Sequence, residues 1–181
     1  SSAASDVYKR QPLDRWSMRI LEGLAQQVGA EAVSPNDSRL PLQRLALNAG
    51  GVFQSPMGLL IDPEFGLWHA YRGALRFSDS HSLYQYAQSH PKAPLTGRSP
   101  CESCMDKPCL STCPVGAFSQ SGFSVNLCRN YLSTEAGQSC LTEGCQARRA
   151  CPQGAIHRYS HTQQAFHIQA FFRAVGGTKS S

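Results

Sequence analysis

No stretch of this chain approaches the roughly 20 consecutive apolar residues that a membrane-crossing helix requires, so no membrane span is expected. No secretory signal is visible either, which points to a cytoplasmic protein. Lys and Arg outnumber Asp and Glu by 17 to 12, yet they never run together in the way that tracks a phosphate backbone. A specific nucleic-acid partner is therefore not expected. Apolar residues make up 41% of the 181, enough to bury the core of one domain, or of a domain with a partial companion. Cysteine is missing from the first hundred residues and from everything after residue 151. All eight crowd into the stretch between.

Those eight fall into two groups of four. Cys101, Cys104, Cys109 and Cys113 are followed by Pro114, giving C-x2-C-x4-C-x3-C-P. Cys128, Cys140, Cys145 and Cys151 are followed by Pro152. A [4Fe–4S] cluster takes four thiolates, and in two-cluster ferredoxins the last cysteine of a run serves the other cluster. Three closely spaced cysteines wrap one face of a cubane from a single loop, the fourth points away along a short turn, and the proline stops that turn from continuing. Eight cysteines supply two clusters with none left over. A disulfide framework would suit a small domain with an oxidising address. Two four-cysteine zinc sites are the stronger rival, because C-x2-C is also a zinc spacing; zinc sites tend to come as two tight pairs, and the second group has none. The iron–sulfur reading is preferred. It also discounts the formal charge of +5, which counts every thiol as neutral.

Residues 1–11 read as translated sequencing adapter, with Asp6-Val7-Tyr8-Lys9-Arg10-Gln11 as its clearest part, so the natural N-terminus is expected to be missing. Residues 12–77 read as a partial N-terminal α/β segment. Within it, residues 13–28 pattern as an amphipathic helix with Asp14 as N-cap, a core stripe of Trp16, Ile20, Leu21, Leu24 and Val28, and Gly29 as its stop. A short strand is expected at 31–34, and Pro41 opens a second helix at 42–48. Residues 58–61 read as a strand, 62–66 as a turn, and the run to Phe77 as a returning strand with His69 and Tyr71 on one face, although 67–77 also fits a helix by period. That pair is a candidate site, although a packed hydrogen-bonded pair is the commoner outcome. Residues 78–99 are polar and proline-punctuated, a connector without assigned chemistry, with His81 and His90 exposed.

A strand, a Pro-Glu-Phe-Gly turn, an aromatic strand and a two-group cysteine module together resemble the C-terminal half of epoxyqueuosine reductases and the related corrinoid reductive dehalogenases. The resemblance runs from about residue 58 to 156 and is most specific at Asp62-Pro63-Glu64-Phe65-Gly66-Leu67-Trp68, at residues 101–114, and at a lone Cys128 well ahead of the final Cys-Pro. It implies one cluster on Cys101, Cys104, Cys109 and Cys151, and the other on Cys113, Cys128, Cys140 and Cys145. In that family the clusters pass electrons to a cobalamin. Here the first motif has four residues, 105–108, where the family has two, and the second group is likewise expanded. The stretch before Gly58 leaves no room for a cobalamin domain, so cobalamin would enter only through missing sequence or a partner.

After the second Cys-Pro, Gln153-Gly154-Ala155-Ile156 mirrors Val115-Gly116-Ala117-Phe118 after the first. Each Gly-Ala-apolar segment is expected to pack over a neighbouring cubane, excluding water and lending N–H···S bonds. Arg148 and Arg149 read as partly solvated, partly compensating cluster charge or meeting an acidic redox partner. Residues 162–175 pattern as a last helix with Phe166, Ile168, Ala170, Phe171 and Phe172 inward. His157, His161 and His167 find no vacancy among the ligands. The fold class expected is α+β, a ferredoxin-like dicluster [4Fe–4S] module (residues 100–160) with a packing helix (161–177) behind it. The expected function is single-electron relay to a redox partner protein. The alternative is a reductase whose cofactor and substrate domain is truncated or lies on a partner. No residue is assigned a catalytic role.

Overall fold

A computed structural model of the chain describes residues 12–35, 37, 40–89, 97–119 and 122–176. The adapter-like start at 1–11 and His90 lie outside the described residues. The architecture is α+β, with helices joined to two-stranded antiparallel ribbons. Two compact units divide the chain, and both are discontinuous in sequence. One takes the described parts of 1–50 and 70–96, the other 51–69 and the described residues from 97 on. Among the described residues, no helix is long and apolar enough to cross a membrane.

In the first unit, helix α1 (Pro12–Val28) leads into strand β1 (Glu31–Val33). Helix α2 (Leu42–Ala49) follows. Strand β1 pairs with β4 (Ala74–Arg76), Glu31 opposite Arg76 and Val33 opposite Ala74. The Arg76 guanidinium donates to the Glu31 carboxylate across that pair. Close approach requires glycine at Gly73: at φ 151° a Cβ there would stand 2.2 Å from a Leu21 methyl and 2.6 Å from the Val33 carbonyl. Asp14 is not the cap but the third residue of α1, and its carboxylate takes Arg72 at 2.5 Å. The expected core stripe also differs: Trp16, Ile20 and Leu24 are 54%, 49% and 45% exposed, while Ser17 and Ala25 are buried. Small residues turn inward because β4 and the chain before it come close to the helix, as the Arg72 Nε–Ser17 Oγ contact of 3.3 Å marks. The connector stretch carries a helix, α3 (Ser80–Ser89). Asp79 opens it, its Oδ1 accepting the Ser82 amide at 2.8 Å, and that bond holds the carboxyl below its ordinary range.

The second unit begins with the hairpin β2 (Phe53–Gln54) and β3 (Leu60–Ile61). Asp62 then closes a tight turn, its Oδ1 accepting the amides of Glu64 at 2.7 Å and Phe65 at 2.8 Å. The returning strand expected after that turn does not form. Residues 67–73 carry no strand, and β4 further on belongs to β1. The physical reason lies in the side chains that take the backbone's place: an Arg148 N–H donates to the Leu67 carbonyl, and Trp68 is buried to 3% against Arg148 and Tyr159.

Short helices α4 (Pro100–Ser103) and α5 (Pro108–Ser111) precede a ribbon of β5 (Phe118–Ser119) and β6 (Gly122–Phe123). Helices α6 (Val125–Leu132), α7 (Gln138–Glu143) and α8 (Gln146–Ala150) follow, then a 3-10 turn (Ala155–His157) and α9 (His161–Ala174). Helix α9 packs on α7, and α5 on α8. Phe172 of α9 is buried as expected, but Phe166 is exposed, and Gln164 and Ala165 turn inward in its stead. Gly144 makes that possible, since a Cβ there would stand 2.4 Å from the Gln164 Cβ.

Candidate metal centres

The proline-headed helices α4 and α5 place the first cysteines. Ser99 caps α4, its Oγ accepting the Cys101 amide at 3.2 Å, and Cys104 ends it. Lys107 takes the left-handed conformation at φ 39° and turns the chain into α5, which buries Cys109. Cys151, at the end of α8, is buried in the same core as Cys109, with Met57, Ile61 and Leu67. Cys101, Cys104, Cys109 and Cys151 line one cavity of about 210 Å³, together with Ile61 and Lys107. Cys113 departs from this group. It joins Cys128 of α6, Cys140 of α7 and Cys145 at the head of α8 around a second, tighter cavity of about 20 Å³, walled by Phe118 and Leu132 among others. Helix α8 thus holds a thiol at each end, one for each cavity, and the first group loses its last cysteine to the second cavity.

Burial pushes six of the thiols up, Cys128 to about 12. The secondary causes follow the two cavities. Cys151, Cys101 and Cys104 raise Cys109, whereas Cys145, Cys113 and Cys140 raise Cys128. Backbone amides work in the opposite sense: Arg148 and Ala147 on Cys145, Gln146 on Cys140, Gln153 on Cys151. The Ala117 amide donates to Cys113 Sγ at 3.3 Å. Donors are therefore already aimed at sulfurs that buried, bare thiols would keep protonated. A metal centre, when bound, would supply the positive charge that turns such thiols into thiolates.

Among the described residues, no three His, Cys, Asp or Glu side chains stand close enough to hold a single metal ion. A tetrahedral zinc with bonds of about 2.3 Å would bring its sulfurs to about 3.8 Å of one another. Four thiols around a shared cavity are a donor set that would suit a centre with four thiolate ligands.

The Asp62 turn braces the first cavity from outside. Gly66 and Gly154, both left-handed at φ 59° and 66°, bring two backbones together: a Cβ on Gly66 would stand 2.0 Å from the Gln153 carbonyl oxygen, and one on Gly154 would stand 2.4 Å from that of Phe65. The Gln153 side-chain amide donates to the Pro63 carbonyl. The mirrored segments after the two Cys-Pro pairs therefore diverge. Ala117 is buried and Phe118 walls a cavity, but Ile156 is 91% exposed, because Gly154 is committed to the Phe65 turn.

Arg148 and Arg149 part in the same way. Arg149 faces outward and pairs with Glu143 at 3.0 Å. Arg148 turns in, its guanidinium carbon 4.5 Å from the Trp68 ring centre and 5.1 Å from that of Tyr159. Burial pushes its pKa down. Arg148 also lines a further cavity of about 260 Å³ with Cys128, Cys145, Phe171, Gln164 and His167. Sequence reasoning gave Arg148 and Arg149 one shared reading and did not separate them; the rings of Trp68 and Tyr159 that hold Arg148 lie far from it in sequence. Of the other histidines, His157 lies against Phe65 with ring centres 4.8 Å apart, and His161 is exposed. His69 turns Nδ1 to the Gly66 carbonyl at 3.1 Å and lines neither cysteine cavity; Tyr71 is exposed.

No family model matches the chain, and no solved structure matches it. It is similar to hydrogenase-4 component A of Escherichia coli (strain K12), 32% identical over 109 residues, which cover 56% of this chain and 48% of that protein. The chain thus spans about half the length of the curated relative it matches.

Proposed function

We propose that this chain is an iron–sulfur electron-transfer protein, a ferredoxin-like module holding two [4Fe–4S] clusters. Cys101, Cys104, Cys109 and Cys151 would hold one, and Cys113, Cys128, Cys140 and Cys145 the other. The observation that supports this most is the gathering of eight thiols, four apiece, about two cavities with amides directed at their sulfurs. Likeness to a hydrogenase component agrees with a redox role, since hydrogenase chemistry moves electrons. When bound, a cluster of this kind takes up one electron and returns it. The protein's residues provide the rest: thiolates to hold the metal, N–H groups to offset sulfur charge, and Phe118, Tyr131, Leu132 and Ile168 to exclude water from the second centre. A donor protein would give the electron and an acceptor protein take it, with no bond made or broken here.

Protein purified without oxygen should be brown and carry about eight iron and eight sulfide per chain. Stoichiometric zinc in a colourless protein overturns the proposal. Paired substitutions test the ligand sets. Cys104→Ala with Cys151→Ala should damage one centre only, whereas Cys104→Ala with Cys113→Ala should damage both, read by iron content and EPR. The reverse outcome means that each group of four holds its own cluster.

A further inference from the structure

Arg148 is an anomaly as a structural residue. A guanidinium stays charged at any physiological pH, and drawing it partly out of water is unfavourable unless a counter-charge answers it. None of the ion pairs among the described residues includes Arg148. Its Nε–H has no acceptor among them. The Leu67 carbonyl and the faces of Trp68 and Tyr159 hold it in place, yet none of the three carries negative charge. Cys145 lies one helical turn before it and lines the same cavity, along with Cys128. Two ligands of the second centre are thus the anionic neighbours that the geometry offers.

From this we infer that Arg148 is the half-buried counter-ion of the second centre, a positioning charge that makes that centre the easier of the two to reduce. The inference rests on the proposed clusters. An added electron makes a centre more negative, so a fixed desolvated cation beside it favours the reduced state and raises its potential. The first quartet also has cations near it, Lys107 by Cys101 and Arg158 by Cys151, but both are exposed, where water and salt screen them. Glu143, the carboxylate near Cys140, is already answered by Arg149. His167 lines the Arg148 cavity, and carries no negative charge. With both clusters bound, an electron moving from the first to the second would oxidise one and reduce the other by a single electron. Arg148 biases that exchange toward the enclosed end.

The test is a redox titration of the loaded full chain, followed by EPR, with the two signals assigned through Cys104→Ala and Cys140→Ala. In the unsubstituted protein the second centre should be reduced first. In Arg148→Met the equilibrium constant between the centres should fall about tenfold, which for a one-electron couple is 59 mV. Arg148→Lys, which keeps the charge, should recover most of that shift, and Arg158→Met should leave the second centre's potential in place. A first centre that is reduced before or together with the second overturns the inference from the unsubstituted protein alone, whatever the variants do. Equal shifts at both centres in Arg148→Met, or a Lys variant no better than Met, overturn it as well, since a packing role would give that result. Loss of the proposed function is told apart by metal analysis: an unsubstituted protein without iron fails before any titration.

Discussion

Around the first quartet the surroundings include prolines and an exposed lysine, and the shared cavity is about 210 Å³; around the second they are mainly aromatic and aliphatic, and the space all four thiols share is about 20 Å³, although Cys128 and Cys145 also line the cavity of about 260 Å³ beside Arg148. The first is braced by a turn from residues 62–66, the second by helices α6, α7 and α9. The ligand type is the same in both, so the difference must act through solvent access and buried charge, two of the levers that set a cluster's potential. Under the proposed function, the first centre would suit exchange with a partner, and the second would suit shelter of the electron. The comparison predicts which substitutions should be felt at only one end.

Removing the metal should produce the largest effect and should fall on one unit. Eight thiols cannot close around two vacated cavities without losing their packing, so the unit of residues 51–69 and 97–176 should lose cooperative melting. Trp68 reports on that unit and Trp16 on the other. Stripped of iron, the protein should show Trp68 emission shifted to the red, measured in a Trp16→Phe variant. A stripped protein that melts as sharply as the loaded one would mean that side-chain packing, and not metal, holds both ends.

Leu132→Ala should break the second end alone. Leu132 is 1% exposed and shares a core with Cys140, Leu141 and Phe172, so its truncation should cost about 2–5 kcal/mol. Iron release to a chelator should become biphasic, the fast half assigned to the second centre by EPR. Release that is equally fast from both would show that the two cores are one cooperative structure. Gly154→Ala is the matching lesion at the first end. A Cβ there meets the Phe65 carbonyl at 2.4 Å in a left-handed residue, a cost of about 2–3 kcal/mol when the turn gives way. The first centre should then release its iron sooner, with the second unchanged.

How much of this was legible beforehand depends on the range of the interaction. Local chemistry could be read: the Asp62 turn and the helices near 12–28 and 161–174 follow from residues a few positions apart, whereas the short proline-headed helices at the first cysteines were read only as a loop. Partners across the chain could not. Nothing in residues 67–73 says that Arg148 will take the Leu67 carbonyl and so prevent a strand, because alternation of apolar residues fits a strand whether or not an edge is available. The exposed stripe of Trp16, Ile20 and Leu24 failed for a related reason. Periodicity finds the apolar face of a helix, but β4 sets which part of it is covered. The mirrored Gly-Ala segments misled similarly at Ile156, since the repeat could not reveal that one copy is claimed by the turn at Phe65. The gathering of Cys113 with Cys128, Cys140 and Cys145 is also long-range, and there the family resemblance had implied the set, which spacing alone does not give.

The smallest effect expected is at Arg149, and its smallness carries information. Arg149 and Arg148 are neighbours on one helix with the same charge, so their sequence context hardly distinguishes them. Arg149 reaches outward to Glu143, and an exposed pair of that kind contributes about 0.2–1 kcal/mol, less at high salt. Arg149→Gln should therefore lower the melting temperature by no more than a degree or two and leave iron content unchanged. It also frees Glu143, which lies near Cys140, so the second centre should become slightly harder to reduce, an effect that fades as salt is added. Charge removed from a buried site should show no such salt dependence. If Arg149→Gln changed the second centre's behaviour as strongly in high salt as in low, the outward pair would be part of the sheltered site, and the line drawn between the solvent-facing and enclosed sides of α8 would be in the wrong place.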